Sequence, residues 1–280
     1  MENVMNIFIS GLGLIGGSLA KALRFRTIHN VCGFDTNEGT CKAALASGAI
    51  NKIGTADDIK QADVIIVALY PAATIEFVKE NVGNFKENAI IVDTCGIKTE
   101  VCKSLGEILS GRAVRFVGGH PMAGTQFWGF DHSRSSLFKG ASMILTPHGV
   151  SDIAVLEKIK NFFCSVGFAD TTFTSPEEHD RIIAYTSQLA HIVSNAYIKS
   201  PTVVDRKGFS AGSYKDMTRV AKLNEEMWTE LFIGNKDNLV NEIDTLIDNL
   251  QKYRSAVDSA DSESLLALLR DGRETKKQVG

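Results

Sequence analysis

The segment Gly11-Leu12-Gly13-Leu14-Ile15-Gly16-Gly17-Ser18 constrains this chain more than any other. It follows an apolar run at residues 6–10 and leads into Leu19, Ala20, Ala22 and Leu23 at helical spacing. A GxGxxG at a strand-to-helix junction is suited to holding a pyrophosphate. Gly11 permits the tight turn, Gly13 lets the backbone approach the phosphates, and Gly16 lets the helix pack closely on the strand with its first amides aimed at the ligand. Gly11, Leu12, Gly13, Leu14, Ile15 and Gly16 are therefore the cofactor-binding candidates. Asp35 follows Gly16 by 19 residues, where a carboxylate accepts hydrogen bonds from ribose hydroxyls and repels the extra phosphate of NADP. No Arg or Lys stands in Thr36-Asn37-Glu38, so NAD is the expected cofactor. An FAD-binding chain uses a similar fingerprint, but it would be longer and carry a further nucleotide contact that is not found here.

Such a turn needs a sheet around it, and the next stretch of chain supplies one. Short β-branched runs at residues 31–34, 63–69, 89–93, 114–118 and 143–146 alternate with helix-like stretches as far as about Phe173, the pattern of a parallel sheet flanked by helices. Val64-Ile65-Ile66-Val67-Ala68 and Ala89-Ile90-Ile91-Val92 are continuously apolar, as strands covered on both faces must be. Beyond Phe173, Ser175-Pro176-Glu177-Glu178 combines an N-cap, a proline at the first helical position and a glutamate three residues after the cap. Helical patterns continue from there. The expected architecture is an α/β Rossmann-type parallel sheet domain over residues 1–174, followed by an all-helical domain over residues 175–280. In residues 238–257, Leu239, Ile243, Leu246, Ile247, Leu250 and Tyr253 form a stripe that packs either within the second domain or across a homodimer, and the dimer is the preferred reading. Residues 276–280 are expected to fray.

Charge and cysteine usage narrow the partners. With 30 Lys and Arg against 33 Asp and Glu among 280 residues, and basic runs no longer than Lys276-Lys277, the chain lacks the electrostatic footprint of a nucleic-acid binder. A small molecule is the expected partner. The first residues lack a cationic start with a long apolar stretch, and no run of about eighteen apolar residues occurs, so a soluble cytoplasmic protein with no membrane contact is expected. Cys32, Cys41, Cys95, Cys102 and Cys164 show no CxxC pair and no histidine at metal-ligand spacing, which speaks against structural zinc and disulfides.

In open α/β sheets ligands bind beyond the carboxyl ends of the strands, which directs attention to two later segments. In Gly118-Gly119-His120-Pro121-Met122-Ala123-Gly124, the proline keeps His120 out of helical geometry and the glycines leave room around it. Oxidising an alcohol requires its hydroxyl proton to leave, and an imidazole accepts it at neutral pH, so His120 is the candidate base; the alternative is a histidine that merely satisfies loop hydrogen bonds. His29, His132 and His148 are assigned no role. The second segment, Phe209-Ser210-Ala211-Gly212-Ser213-Tyr214-Lys215-Asp216-Met217-Thr218-Arg219, is a glycine-containing turn leading into a helix. Lys215 and Arg219 share a helix face, and two cations there call for an anion, whether Asp216 or a substrate carboxylate. The functional reading makes Arg219 a bidentate clamp, with Lys215 and Gly212 beside it in the substrate site. On the helix starting near Ser175, Asp180, Ala184, Ser187 and His191 fall on one stripe that either lines a crevice or, for Asp180 at least, faces water.

Together, the glycine turn, the His-Pro-Met-Ala-Gly loop at His120, the His179-Asp180-Arg181 helix start and the segment Ser213-Tyr214-Lys215-Asp216-Met217-Thr218-Arg219 closely resemble prephenate dehydrogenase. The resemblance covers most of the chain, and the His120 loop and the Lys-Asp-x-x-Arg segment are its specific parts. It implies NAD-dependent oxidative decarboxylation of prephenate, a dicarboxylate, to 4-hydroxyphenylpyruvate in tyrosine biosynthesis. It implies that His120 meets the C4 hydroxyl, that Arg219 takes the ring carboxylate, that His191 lies in the substrate pocket, and that an all-helical second domain forms the dimer.

Two departures stand out. Members of that family often carry Asp-x-x-Ser-x-Lys where this chain has Asp93-Thr94-Cys95-Gly96-Ile97-Lys98, leaving open whether Thr94, Cys95 or water takes the serine's place. No second α/β pattern follows Tyr253, so the regulatory ACT domain of many relatives, and tyrosine control through it, are expected to be absent. Arogenate dehydrogenase fits the same motifs equally well. A β-hydroxyacid dehydrogenase would place a catalytic lysine on the first interdomain helix, and residues 176–198 contain none. A non-catalytic NAD sensor would need neither a base nor a carboxylate clamp.

Overall fold

The computed structural model describes residues 4–147, 149, 152–209 and 211–280. His148, and Ser210 within the second candidate segment, lie outside the described residues. Among the described residues eight strands form one sheet: β1 (Asn6–Ser10), β2 (Asn30–Phe34), β3 (Lys52–Ile53), β4 (Val64–Val67), β5 (Ile90–Asp93), β6 (Arg115–Pro121), β7 (Ser142–Pro147) and β8 (Asp170–Phe173), in the order β3-β2-β1-β4-β5-β6-β7-β8. The interleaved helices are α1 (Leu14–Arg26), α2 (Glu38–Ala46), α3 (Ala56–Gln61), α4 (Pro71–Asn81), α5 (Thr99–Ile108) and α6 (Ile153–Val166). Strand order reverses direction between β1 and β4, the crevice position where dinucleotides bind in such sheets.

Burial follows the apolar runs. Ile7, Ile9, Ile66, Val92 and Val117 pack on Leu19 and Leu23 of α1 and Ile159 and Phe163 of α6. Their strand neighbours Phe8, Ile65, Val67, Ile91 and Phe116 pack on the opposite face against Val78, Val101 and Leu105 of α4 and α5. Each of these side chains contributes about 1.5–3 kcal/mol by leaving water.

The sheet departs from the all-parallel expectation at one place. Strand β7 runs antiparallel to β6, with His120 opposite Ile144, and β8 is parallel to β7. A parallel return needs a crossover of a dozen or more residues, usually helical. Between β6 and β7 the chain forms only the 3-10 turn Phe130–His132, so it doubles back along the strand it left.

From Pro176 onward the regular structure of the described residues is helical: α7 (Pro176–Ile183), a π-helical turn (Ala184–Leu189), α8 (Ala190–Tyr197), a 3-10 turn (Pro201–Asp205), α9 (Gly212–Thr218), α10 (Glu225–Gly234), α11 (Lys236–Asp258) and α12 (Ser262–Val279). Ser175 caps α7 by accepting from the Glu178 amide at 3.1 Å, while the Glu178 carboxylate turns outward to Arg181 rather than closing the reciprocal half of the capping box. Residues 276–279 continue α12 instead of fraying. Lys277 pairs with Glu274 at 3.2 Å, and Lys276 and Lys277 sit in the last turn, where positive charge favours the helix dipole. No helix of the described residues is long and apolar enough to cross a membrane.

Candidate active site

The turn after β1 has the geometry its glycines require. Gly11 sits at φ +88°, and a Cβ there would lie 2.3 Å from the Ala68 carbonyl oxygen; at Gly16 it would lie 1.9 Å from the Gly11 oxygen. At Gly13 a Cβ would meet nothing within 4 Å, and Gly13 is the N-cap of α1 with no side chain bonded over the helix start. The first turn of α1, at Leu14, Ile15 and Gly16, thus opens on free space with the unsatisfied amides of a helix N-terminus. Leu12 contributes differently, because its side chain is buried in the core and its amide donates to Asp35 Oδ2 at 2.9 Å. Asp35 also accepts from the Asn37 amide at 2.9 Å, which aims the partly exposed carboxylate from the end of β2. This cradle fits the pyrophosphate and ribose of a dinucleotide.

His120 lies on β6 itself, three residues beyond the last pairing with β5, Val92 to Val117. The strand reaches that far because Asp93, fully buried at the end of β5, accepts from the Gly119 and Cys95 amides at 3.2 and 2.9 Å and pairs with the equally buried Lys98 ammonium. Burial opposes charge on Lys98, but Asp93 holds its pKa above the ordinary value. Gly118 and Gly119 do not make room around His120, as the sequence suggests. Thr146, Cys102, Asp93 and Met143 occupy the places where their side chains would be, so these glycines let β6 pack tightly.

The helical domain closes on this point. His179 Nε2 lies 2.8 Å from His120 Nδ1, and His179 Nδ1 lies 2.7 Å from Asp180 Oδ1. Asp180 accepts from the Lys98 amide at 2.7 Å and the Thr99 amide at 2.8 Å, capping the start of α5 from the other domain. Its carboxylate is buried, which rules out the water-facing alternative. Glu230 of α10 does the same for α4, accepting from the Ala72 amide at 2.5 Å. Burial pushes the His120 pKa well below its ordinary value, His179 and Lys98 push it further, and Asp180 opposes them. The imidazole is therefore neutral at physiological pH and able to accept a proton.

A second group gathers about His191, on α8. Its ring stands 4.1 Å from Trp228, its Nδ1 is 2.7 Å from the Ser187 carbonyl oxygen, and its pKa is lowered by burial and by the charge of Arg219. Arg219 caps α9 at its C-terminal end, exposed, and among the described residues no carboxylate, Asp216 included, lies within ion-pair distance of it. Lys215 and Gly212 are exposed on the same short helix, and a Cβ at Gly212 would meet nothing within 4 Å. Trp128, on the loop after His120, takes the Lys222 ammonium over its ring at 5.5 Å, linking that loop to the segment after Arg219.

His179 is the member of the site that sequence reasoning did not single out. The stripe through Asp180, Ala184, Ser187 and His191 presumes an unbroken α-helix, whereas the π-turn after Ile183 shifts the register, so Asp180 faces α5 and His191 faces Trp228. The one available signal was the His-Asp pair at the start of the interdomain helix. Cys95 does not take the place of the family's serine. Its thiol, driven up in pKa by burial, lies 3.3 Å from Thr74 Oγ1 under α4. At Gly96 itself a Cβ would press on Leu231 of α10 at 3.2 Å, so the helical domain already fills that space.

A glycine cradle with an acid at the end of the neighbouring strand, and a neutral histidine held at the same end of the sheet by a second, helical domain, define a two-domain nucleotide-dependent dehydrogenase. The chain belongs to the prephenate dehydrogenase family. Residues 19–169 match the family's "Prephenate dehydrogenase, nucleotide-binding domain" and residues 175–271 its "Prephenate dehydrogenase, dimerization domain". The first match begins after Gly16, so the glycine turn is an independent observation. The chain is 30% identical over 277 residues, 96% of its length and 74% of the relative's, to the prephenate dehydrogenase of Bacillus subtilis. Its fold is similar to that of A. aeolicus prephenate dehydrogenase in complex with hydroxyphenyl propionate and NAD+, at TM-score 0.87 and 28% identity over 100% of this chain and 99% of that one. It is also similar to Synechocystis arogenate dehydrogenase, at TM-score 0.82 and 25% identity over 99% and 100% of the two chains.

Proposed function

We propose that this chain is an NAD-dependent dehydrogenase that oxidises and decarboxylates prephenate to 4-hydroxyphenylpyruvate, working in the cytoplasm. The observation that carries this reading is His120, a neutral imidazole fixed at the same carboxyl end of the sheet as the glycine turn. The amides of Leu14, Ile15 and Gly16 and the open backbone at Gly13 would hold the pyrophosphate, and Asp35 the ribose. NAD, when bound, supplies the acceptor for the hydride from C4. His120 takes the C4 hydroxyl proton, and Arg219, with Lys215 and Gly212 on its helix and His191 facing it, holds the substrate carboxylate. Loss of carbon dioxide restores an aromatic ring, so the protein's task is positioning and charge complementarity rather than activation of a poor leaving group.

The test is absorbance at the NADH band after mixing protein and NAD with prephenate, and separately with arogenate. A rise with prephenate is expected. A rise with arogenate alone would move the chain to the specificity of its Synechocystis neighbour, and no rise with either would end the assignment. Asp35→Ala is expected to raise the relative efficiency of NADP over NAD by about tenfold, since each decade corresponds to roughly 1.4 kcal/mol of relieved repulsion. The cofactor ratio is the right measure, because losing the Leu12 amide bond weakens both cofactors alike, and an unchanged ratio would remove Asp35 from selectivity.

We set the domain boundary between residues 174 and 175 and give the helical domain the homodimer contact. Ile247, Leu250 and Val257 on one face of α11 and Leu266 and Leu269 on α12 are each more than half exposed, apolar side chains that a partner subunit would cover. Ile247→Glu with Leu250→Glu should halve the mass seen by light scattering. A wild-type monomer would refute the dimer.

A further inference from the structure

Which nitrogen of His120 carries its proton is settled jointly by the two domains. Asp180 lies between the Lys98 and Thr99 amides, and although burial works against its charge, the bonds from His179 and Thr99 keep its carboxyl below the usual range. An ionised carboxylate only accepts, so His179 Nδ1, 2.7 Å away, carries a hydrogen. A neutral imidazole has one such hydrogen, which leaves His179 Nε2 with a lone pair. That lone pair lies 2.8 Å from His120 Nδ1, so His120 donates there and keeps its own lone pair on Nε2.

We infer that His179 and Asp180 are positioning residues that lock His120 in its Nδ1-protonated tautomer, leaving Nε2 as the base for the substrate hydroxyl. The inference rests on His120 being the base of the proposed reaction. The opposite tautomer would set two lone pairs against each other at the His120–His179 contact or, with His179 also reversed, the bare His179 Nδ1 against the Asp180 carboxylate oxygen. When the O–H bond of the substrate breaks and the Nε2–H bond forms, His120 becomes an imidazolium whose Nδ1–H still donates to His179. The Asp180 charge offsets the new positive charge through that histidine. Because His120 stands on the sheet domain and the other two on the helical domain, the base is in its working tautomer only while the domains are in contact.

Four variants and one spectrum test this. In the histidine 15N spectrum of the full-length wild-type protein, His120 should show a protonated Nδ1 and a bare Nε2. Asp180→Asn keeps the shape but lets an amide N–H face His179, which reverses both imidazoles. It should lower kcat by about 10²–10⁴ with KM little changed, the effect of a wrong tautomer at a catalytic histidine. His179→Phe removes the acceptor and should fall into the same range, whereas His179→Gln returns a carbonyl oxygen near that position and should recover kcat to within about tenfold of wild type. If Asp180→Asn loses the cap on α5 and folds poorly, the contrast between Phe and Gln at position 179 decides. A protonated Nε2 in the wild-type spectrum, or Phe and Gln variants of equal turnover, would overturn the lock. An inactive His120→Asn beside fully active Asp180→Asn and His179→Phe would sink the lock alone, whereas an active His120→Asn would sink the base assignment itself.

Discussion

Replacing His120 with Asn is expected to lower kcat by a factor of about 10²–10⁴ while leaving NAD affinity within a few fold, the loss expected when a general base is removed. The separation of effects follows from where the residue stands. His120 lies beyond the stretch of β6 that pairs with β5 and bonds to the helical domain, whereas the glycine turn and Asp35 are held by β1, β2 and the Leu12 amide. Asn keeps a polar group that can donate to His179 but has no basic nitrogen. NADH titration by fluorescence and single-turnover absorbance check the two halves separately, and unchanged turnover removes His120 from the chemistry.

The pH profile of the wild-type protein tests the same residue without a mutation. The base works only when neutral, so activity is lost as pH falls through its pKa. Burial, His179 and Lys98 all lower that pKa and Asp180 only partly restores it. The acid limb of kcat/KM is therefore expected below the ordinary histidine value of about 6.5. A limb centred above it would contradict a buried, cation-flanked imidazole.

What the sequence discloses about this fold is whatever a short stretch decides by itself. The glycine turn, the continuously apolar strands β4 and β5, the Ser175 cap and the stripe along α11 each depend on residues a few places apart, and each is found in the structure. Strand β3 has two residues and β8 a single buried one, too little pattern to register. The reversal of β7 turns on the linker before it rather than on its own residues. The same limit governs the site. His120 and Asp35 stand at strand ends, where topology alone makes them candidates. His179 acquires its partners only when two domains meet, and the π-turn makes straight-helix geometry misleading from Ala184 onward.

Arg219→Gln is expected to raise KM for the dicarboxylate roughly 10- to 150-fold with kcat much less affected, the worth of a charge-assisted hydrogen bond being about 1.5–3 kcal/mol. Arg219 is a cation without a carboxylate among the described residues, while nearly every other close acid–base pair on the helical surface is a local one, such as Arg181 with Glu178 or Lys277 with Glu274. Its charge is felt instead by His191, whose pKa it lowers. An anion placed between them would relieve that repulsion, and the substrate carries one. Glutamine has a similar reach and can still donate, so the variant removes the charge and the planar fork while disturbing the end of α9 little. Arg219→Lys separates the two contributions: if the fork matters, lysine should recover only part of the affinity even though the charge is back. His191 gives an independent reading, since its pKa should rise in Arg219→Gln and stay low in Arg219→Lys. A KM close to wild type in the glutamine variant would place the carboxylate elsewhere, and the exposed Lys215 one turn earlier on α9 would be the next residue to replace.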